Sequence, residues 1–196
     1  PAAVIAAETG KPDEDSLLEV MLGVEHIDWA ARNAEKVLKQ RKVSSGIISF
    51  NQQAYVGYRP FGVVGVIGPW NYPLYTPMGS IAYSLAAGNS VVFKPSELTP
   101  GVGVWLAEKW ESLAPAHPVF QTVTGDGATG AALTTAGVDK VAFTGSTATA
   151  KKVMAACAER LTPLVAECGG KDAMLVDADA DLDAADGVVA DLLKTP

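Results

Sequence analysis

The chain contains 196 residues, of which 48% are hydrophobic and 19% are charged, as is typical of a globular protein with a sizeable core. Its net charge of −7 and its lack of a basic cluster argue against binding to nucleic acid or to an anionic membrane. No apolar run has the ~18 residues that a membrane-spanning helix needs. The two cysteines and two histidines lack disulfide or metal-ligand spacing, so we expect no metal site and a reducing, cytoplasmic setting.

The first 60 residues are predicted to form helices followed by an extended arm. From Ser16 to Arg41, apolar residues recur at three- and four-residue spacing, which indicates one long helix or two. The face marked by this spacing contains Leu17, Val20, Met21, Val24, Ile27, Ala30, Ala34, Val37 and Leu38. The stretch "SSGIISFNQQAYVGYRP" that follows is typical of a hairpin or an arm, because aromatic and β-branched residues lie between turn residues.

From Phe61 onward, short apolar segments alternate with helical patterns. The predicted strands are "FGVVGVIGP", "NSVVFKP", "PVFQTVTG", "KVAFTG" and "TPLVAECGG", and a helix is predicted after each of the first four. Residues 172–180 are predicted to be extended, and the Asp-rich stretch 177–186 to be a solvated turn. This alternation predicts an α/β fold with a mostly parallel sheet flanked by helices. Such sheets bind ligands beyond the carboxyl ends of their strands.

Polar residues follow the first two predicted strands. Asn71 lies between Pro69 and Pro73, where its amide suits donation to a developing oxyanion or simply a place in a turn. Lys94 and Glu97 follow the second strand. A carboxylate here suits the two hydroxyls of a nucleotide ribose and would select NAD over NADP, although these residues taken alone favour a simple Lys–Glu pair on a loop.

Two glycine-containing turns are candidate phosphate cradles. "GDGATG", Gly125 to Gly130, has the dinucleotide-binding spacing, but it belongs to the third strand–helix unit and no acidic residue closes the next strand. Gly145 and Ser146, in "FTGST", lie at the predicted start of a helix, where free N–H groups and the helix dipole favour a pyrophosphate. The residues alone do not choose between these cradles.

The fifth predicted strand ends in "ECGG", which places Glu167 beside Cys168. Successive side chains of a strand lie on opposite faces, so we expect only one of these two residues to face the site.

Five motifs, in this order along the chain, resemble the aldehyde dehydrogenase superfamily: "GPWNYP", "KPSELTP", "GDGATG", "FTGST" and "ECGGKD". The resemblance implies a Rossmann-like cofactor domain, a catalytic domain and a bridging β arm. We therefore expect residues 61–196 to form the NAD(P)-binding domain and residues 1–60 to supply helices and an arm segment. The catalytic domain is expected to be absent from this chain.

The resemblance also implies roles for single residues. Asn71 is expected to stabilise an oxyanion, and Glu167 to be the general base that activates water. The residues expected to bind NAD, with NADP also possible, are Trp70, Lys94, Ser96, Glu97, Gly125, Gly145, Ser146 and, through its backbone, Cys168. The resemblance assigns the pyrophosphate to Gly145 and Ser146.

The implied activity is oxidation of an aldehyde to a carboxylic acid by a protein that is usually a homo-oligomer. The nucleophilic cysteine of the family lies further from Glu167 than residue 196, so we expect the chain alone to be inactive and truncated. The alternatives are a nucleotide-binding module without catalysis, an inert truncated domain, or a phosphorylating relative, which the retained Glu167 disfavours.

Overall fold

The computed structural model describes residues 1–170, 173, 175–181 and 183. The helices in these residues are α1 (Ala2–Thr9), α2 (Asp13–Leu38), α3 (Tyr75–Ala86), α4 (Pro100–Leu113), α5 (Gly127–Thr135) and α6 (Thr147–Ala158). The strands are β1 (Arg41–Val43), β2 (Ala54–Val56), β3 (Val63–Ile67), β4 (Ser90–Lys94), β5 (Phe120–Thr122), β6 (Lys140–Gly145) and β7 (Leu164–Cys168). Among the helices of the described residues, none is both long and apolar enough to cross a bilayer.

The five strands β3 to β7 form one parallel sheet with the order β5-β4-β3-β6-β7. The chain builds β3, β4 and β5 outward in one direction and then crosses back, so that β6 and β7 lie on the other side of β3. The sheet confirms the predicted α/β, Rossmann-like fold. The strand order reverses between β3 and β6, and the crevice at such a switch point is where open α/β sheets bind ligands.

The apolar strands are explained by helices on both faces of the sheet. Val64, Val66 and Phe93 form a buried cluster with residues of α3, and residues of α4 pack against it. Ile67 and Val141 belong to a second buried cluster with residues of α5 and α6. A strand covered on both faces gains from apolar side chains at every position, which is why these strands are continuous apolar runs rather than alternating ones.

The structure contradicts most of the predicted face of α2. Leu17, Met21 and Val24 are 54%, 59% and 55% exposed, whereas Ala30 is buried as predicted. The other buried residues of α2 are Ser16, Glu19 and Gly23, which lie outside the predicted face. The buried face packs mainly against α3: a Cβ atom on Gly23 would lie 3.6 Å from Leu74. The buried side of α2 is therefore determined by its close approach to α3 at Gly23 and by the buried carboxylate of Glu19. Apolar periodicity detects neither of these.

The segment between α2 and β3 forms the hairpin that was predicted as one of two possibilities. β1 and β2 pair antiparallel, with Lys42 opposite Tyr55. The predicted extended segment 172–180 and the Asp-rich stretch 177–186 lie partly outside the described residues, and the described part of 172–180 contains no strand.

Candidate functional site

A cleft of about 740 Å³ opens beyond the carboxyl ends of β3, β4, β6 and β7. One wall is built by α5 and α6. Nine of the ten predicted site residues line it: Trp70, Asn71, Lys94, Ser96, Glu97, Gly145, Ser146, Glu167 and Cys168. Gly125 is not among the lining residues, although Gly127 and Gly130 of the same glycine-containing motif are. The topology thus brings together residues that are far apart in sequence.

Asn71 is carried by the turn between β3 and α3. The turn starts close to the sheet, because Gly68 N donates to the carbonyl of Lys94 at 3.0 Å and a Cβ atom on Gly68 would lie 3.0 Å from the buried Phe93 ring. The Oδ1 atom of Asn71 accepts a hydrogen bond from Tyr72 N at 3.0 Å. No described residue accepts a hydrogen bond from Nδ2 of Asn71, so this donor is available to a ligand in the cleft.

Lys94 and Glu97 form an ion pair at the end of β4. Lys94 is only 3% exposed; its Nζ donates to the carbonyl of Pro95 at 2.9 Å and lies 3.4 Å from Oε2 of Glu97. The stem of Lys94 packs against α5, since a Cβ atom on Gly130 would lie 3.6 Å from Cδ of Lys94. The side chain of Glu97 is 55% exposed. A ligand hydroxyl would therefore meet a fixed ammonium and an accessible carboxylate together.

The amino end of α6 opens into the cleft. Ser146 is its N-cap, and Oγ of Ser146 accepts from Thr149 N at 3.3 Å. Gly145 precedes it in a close-packed position, because a Cβ atom there would lie 2.8 Å from Cζ of the buried Phe143. The remaining first-turn N–H groups and the helix dipole favour an anion at this position.

The amino end of α5 is already occupied by a negative charge. Asp126 is the N-cap of α5, and its Oδ1 accepts from Ala128 N at 2.9 Å. A phosphate at this position would meet that carboxylate. Of the two cradles that the sequence left open, electrostatics therefore favours Gly145 and Ser146 over the "GDGATG" turn.

Glu167 and Cys168 lie on opposite faces of β7, as strand geometry predicts, but both line the cleft, so the expectation that only one of them faces the site is not met. Glu167 is opposite Thr144 and Cys168 is opposite Gly145 in the register with β6. Cys168 lies on the same face of β7 as Leu164, which packs against the buried cluster that contains residues of α6. Glu167 and Cys168 are both exposed. No described residue forms a hydrogen bond or an ion pair with Glu167. An ion pair of Glu167 with Lys171, which would be the structural alternative to a catalytic role, lies outside the described residues.

The comparison with known families identifies the group to which these motifs belong. The sequence model described as "Aldehyde dehydrogenase family" matches residues 2–193. The chain belongs to the aldehyde dehydrogenase family.

Similar proteins include several aldehyde-oxidising enzymes. A 4,4'-diapolycopene aldehyde oxidase from Methylomonas sp is 40% identical over 91% of this chain and 34% of its own length. A betaine aldehyde dehydrogenase from Vibrio vulnificus is 39% identical over 90% of this chain and 36% of its own length. The crystal structure of lactaldehyde dehydrogenase from Escherichia coli superposes with a TM-score of 0.81 at 31% identity, covering 97% of this chain and 40% of that one. The chain thus spans about a third of the length of the curated relatives it matches.

Two acidic residues of this aldehyde dehydrogenase chain, Glu19 and Glu8, accept hydrogen bonds at the starts of α3 and α4, which follow loops of the cleft. Neither was among the predicted site residues. Oε1 of Glu19 accepts from Leu74 N at 2.8 Å and from Tyr75 N at 3.2 Å, at the start of α3. The carboxylate of Glu8 accepts from Gly101 N at 2.7 Å and from Val102 N at 3.1 Å, at the start of α4.

The sequence indicates that α3 needs a cap from elsewhere, whereas the same need of α4 is visible only in the structure. The N-cap residue of α3 is Leu74, which has no side-chain oxygen, and the side chain of Thr99 at the N-cap of α4 makes no capping hydrogen bond. A helix start without a side-chain cap of its own implies a partner from elsewhere.

Proposed function

We propose that the chain forms the nicotinamide-dinucleotide-binding part of an enzyme that oxidises an aldehyde to a carboxylic acid with NAD+. The observation that carries this proposal is the convergence of nine predicted cofactor and catalytic residues on one cleft at the switch point of the sheet. Membership of the aldehyde dehydrogenase family supports the reaction class. Residues 61–196 are assigned to the binding domain, and residues 1–60 to helices and an arm segment that support it.

The cleft fits a dinucleotide in volume and in charge. Its volume of about 740 Å³ lies in the usual range for small-molecule sites. The start of α6, with Gly145 and Ser146, would hold the pyrophosphate, and Lys94 and Glu97 would hold a ribose. Bound NAD+ would supply the two-electron acceptor for the hydrogen removed from the aldehyde carbon.

Asn71 and Glu167 are assigned to the chemistry of the aldehyde itself. Nδ2 of Asn71, which no described residue uses, would donate a hydrogen bond to the carbonyl oxygen as negative charge develops on it. Glu167 would accept a proton from the water that releases the acid, which an accessible carboxylate without a described partner can do.

We assign the nucleophile to neither cysteine of this chain. Cys157 is buried in the core between α6 and the sheet, and this burial raises the pKa of its thiol, which disfavours the reactive thiolate. Cys168 is exposed and lines the cleft, but it lies on the face of β7 opposite Glu167, and the family resemblance implies only a backbone contact with the cofactor for it. We therefore assign attack on the substrate to neither thiol.

Calorimetric titration of the chain with NAD+ tests the cofactor proposal. The matched variants are Ala131→Trp and Ala132→Trp: both alanines are exposed on α5, but only Ala131 lines the cleft. We expect wild type and Ala132→Trp to bind NAD+ with the same affinity, and Ala131→Trp to bind it at least about tenfold more weakly because the indole fills the cleft. No binding by the folded wild type, or equal loss in both variants, would contradict the proposal.

A further inference from the structure

The carboxylate of Glu19 is a buried charge at the amino end of α3. Its side chain is 0% exposed, and three groups donate to it: the N–H groups of Leu74 and Tyr75 and the ammonium of Lys11, whose Nζ lies 2.7 Å from Oε2. A buried carboxylate is stable only when it is paired and hydrogen-bonded in this way. Removing any one partner therefore affects the others.

α3 needs this carboxylate because its own sequence provides no cap. The N-cap is Leu74, and the first turn contains no acidic residue. Glu19 satisfies two first-turn N–H groups and places its negative charge at the positive end of the helix dipole. The start of α3 is thus fixed by α2, a helix that lies far from it in sequence.

The same network reaches Asn71 through Lys11 and Tyr72. Nζ of Lys11 lies 3.7 Å from the centroid of the Tyr72 ring, a cation–π contact. Tyr72 N donates in turn to Oδ1 of Asn71. The segment from Asn71 to Leu74 is thus held at its end by Glu19 and in its middle by Lys11, so the direction of the Asn71 amide depends on both.

We propose that Glu19 and Lys11 are positioning residues that set the direction in which Asn71 presents its Nδ2 donor to the cleft. This inference rests on the proposed function, because Asn71 matters only if a ligand lies in front of it. Neither residue lines the cleft. Their effect passes through the backbone of α3 and the ring of Tyr72.

Glu8 provides a matched control within the same chain. It caps α4 through Gly101 N and Val102 N, as Glu19 caps α3, and no contact joins it to Asn71. Lys94 ends β4, and the loop that carries Glu97 connects β4 to α4. Loss of the Glu8 charge should therefore disturb the ribose end of the cleft and leave Asn71 unchanged.

The experiment compares Glu19→Gln, Lys11→Met and Glu8→Gln with wild type in the 196-residue chain. In ligand-free protein, nuclear magnetic resonance records the Asn71 side-chain amide signals and the hydrogen exchange of Leu74 N–H. Calorimetry then gives the ratio of affinities for NAD+ and for ADP-ribose, which lacks only the nicotinamide. If Glu19→Gln does not fold, Lys11→Met alone tests whether the network sets the direction of the Asn71 amide.

We expect Glu19→Gln and Lys11→Met to shift the Asn71 side-chain signals. Leu74 N–H should exchange about tenfold faster in Glu19→Gln than in wild type. The NAD+ to ADP-ribose affinity ratio should stay unchanged in both variants, because Asn71 is assigned to the aldehyde oxygen and not to the nicotinamide. Glu8→Gln should weaken both ligands equally and leave the Asn71 signals unchanged.

If both Glu19→Gln and Lys11→Met merely unfold more easily, with unchanged Asn71 signals, the inference is overturned and the pair is only structural. Failure of wild type to bind either ligand would overturn the proposed function instead. In that case the Asn71 signals alone still decide whether the pair positions Asn71.

Discussion

At the residue scale, Glu97 is the side chain that we expect to choose between the two nicotinamide dinucleotides. Its carboxylate is 55% exposed and 3.4 Å from the ammonium of Lys94, so it would meet a ribose hydroxyl readily and repel a 2′-phosphate. Replacing it with Gln should raise NADP+ affinity relative to NAD+ by about tenfold, a modest effect because solvent screens an exposed charge.

Titration of both cofactors measures this preference, with Glu108→Gln as the control, since Glu108 is exposed on α4 but does not line the cleft. An unchanged ratio of affinities in Glu97→Gln, or the same change in Glu108→Gln, would remove Glu97 from cofactor selection.

Glu167 is the residue to which we assign proton transfer from water. In a complete enzyme that carries this chain, Glu167→Gln keeps the shape but removes the proton acceptor, so steady-state turnover should fall by ~10²–10⁴-fold. Hydride transfer to NAD+ precedes the release of the acid by water and does not need this proton acceptor, so a burst of NADH should remain. Rapid mixing separates the two phases.

Cys168→Ala is the control for Glu167→Gln, because Cys168 lies on the opposite face of β7. It should leave both phases nearly unchanged. A folded Glu167→Gln enzyme with normal burst and turnover would exclude the role.

Residues directly after strands were predictable as site residues, whereas the residues that hold them were not. Asn71, Lys94 and Glu167 follow or end apolar runs, and parallel strands place such positions at one edge. Glu19 reaches its partner across 55 positions of sequence, and no local pattern encodes that contact. Long-range polar pairing is thus what sequence reading missed here.

At the element scale, the central strands β3, β4 and β6 were recognisable because they are largely buried on both faces. Val63–Ile67 and Lys140–Gly145 are short apolar runs that helices flank, and both are strands in the structure. The buried face of α2 was not recognisable, because several of its apolar residues are exposed and its buried residues include Ser16, Glu19 and Gly23. Apolar spacing identified that a helix forms but not which side it buries.

The packing of α6 on the sheet predicts different reactivities for the two thiols. Cys157 is 3% exposed and burial raises the pKa of its thiol, so less of it is thiolate at a given pH, whereas Cys168 is exposed. Thiol labelling at about pH 8 should show a fast phase that Cys168→Ser abolishes and a slow phase that Cys157→Ser abolishes. Two equally fast phases in folded protein would show that α6 does not cover Cys157.

At the scale of the whole molecule, the order of the strands determines where the site lies. β3 and β6 are neighbours although β4 and β5 lie between them in sequence, so the turns after β3 and β6 face each other across the crevice. The helices of the first 38 residues add the carboxylates of Glu8 and Glu19 behind α4 and α3. Cofactor contacts and loop supports are thus contributed by different parts of the chain.

The most direct measurement of the central claim is a map of backbone amide shifts as NAD+ is added to the isotopically labelled chain. We expect the largest shifts at Gly145 and Ser146, with further shifts at Trp70, because these residues line the cleft. Asn89 and Asp139, at the opposite edge of the sheet, where they bind the amides of Gly62 and Val63, should not respond. Saturable shifts centred on Asn89 and Asp139, or no shifts at Gly145 and Ser146 at saturating NAD+, would contradict the claim.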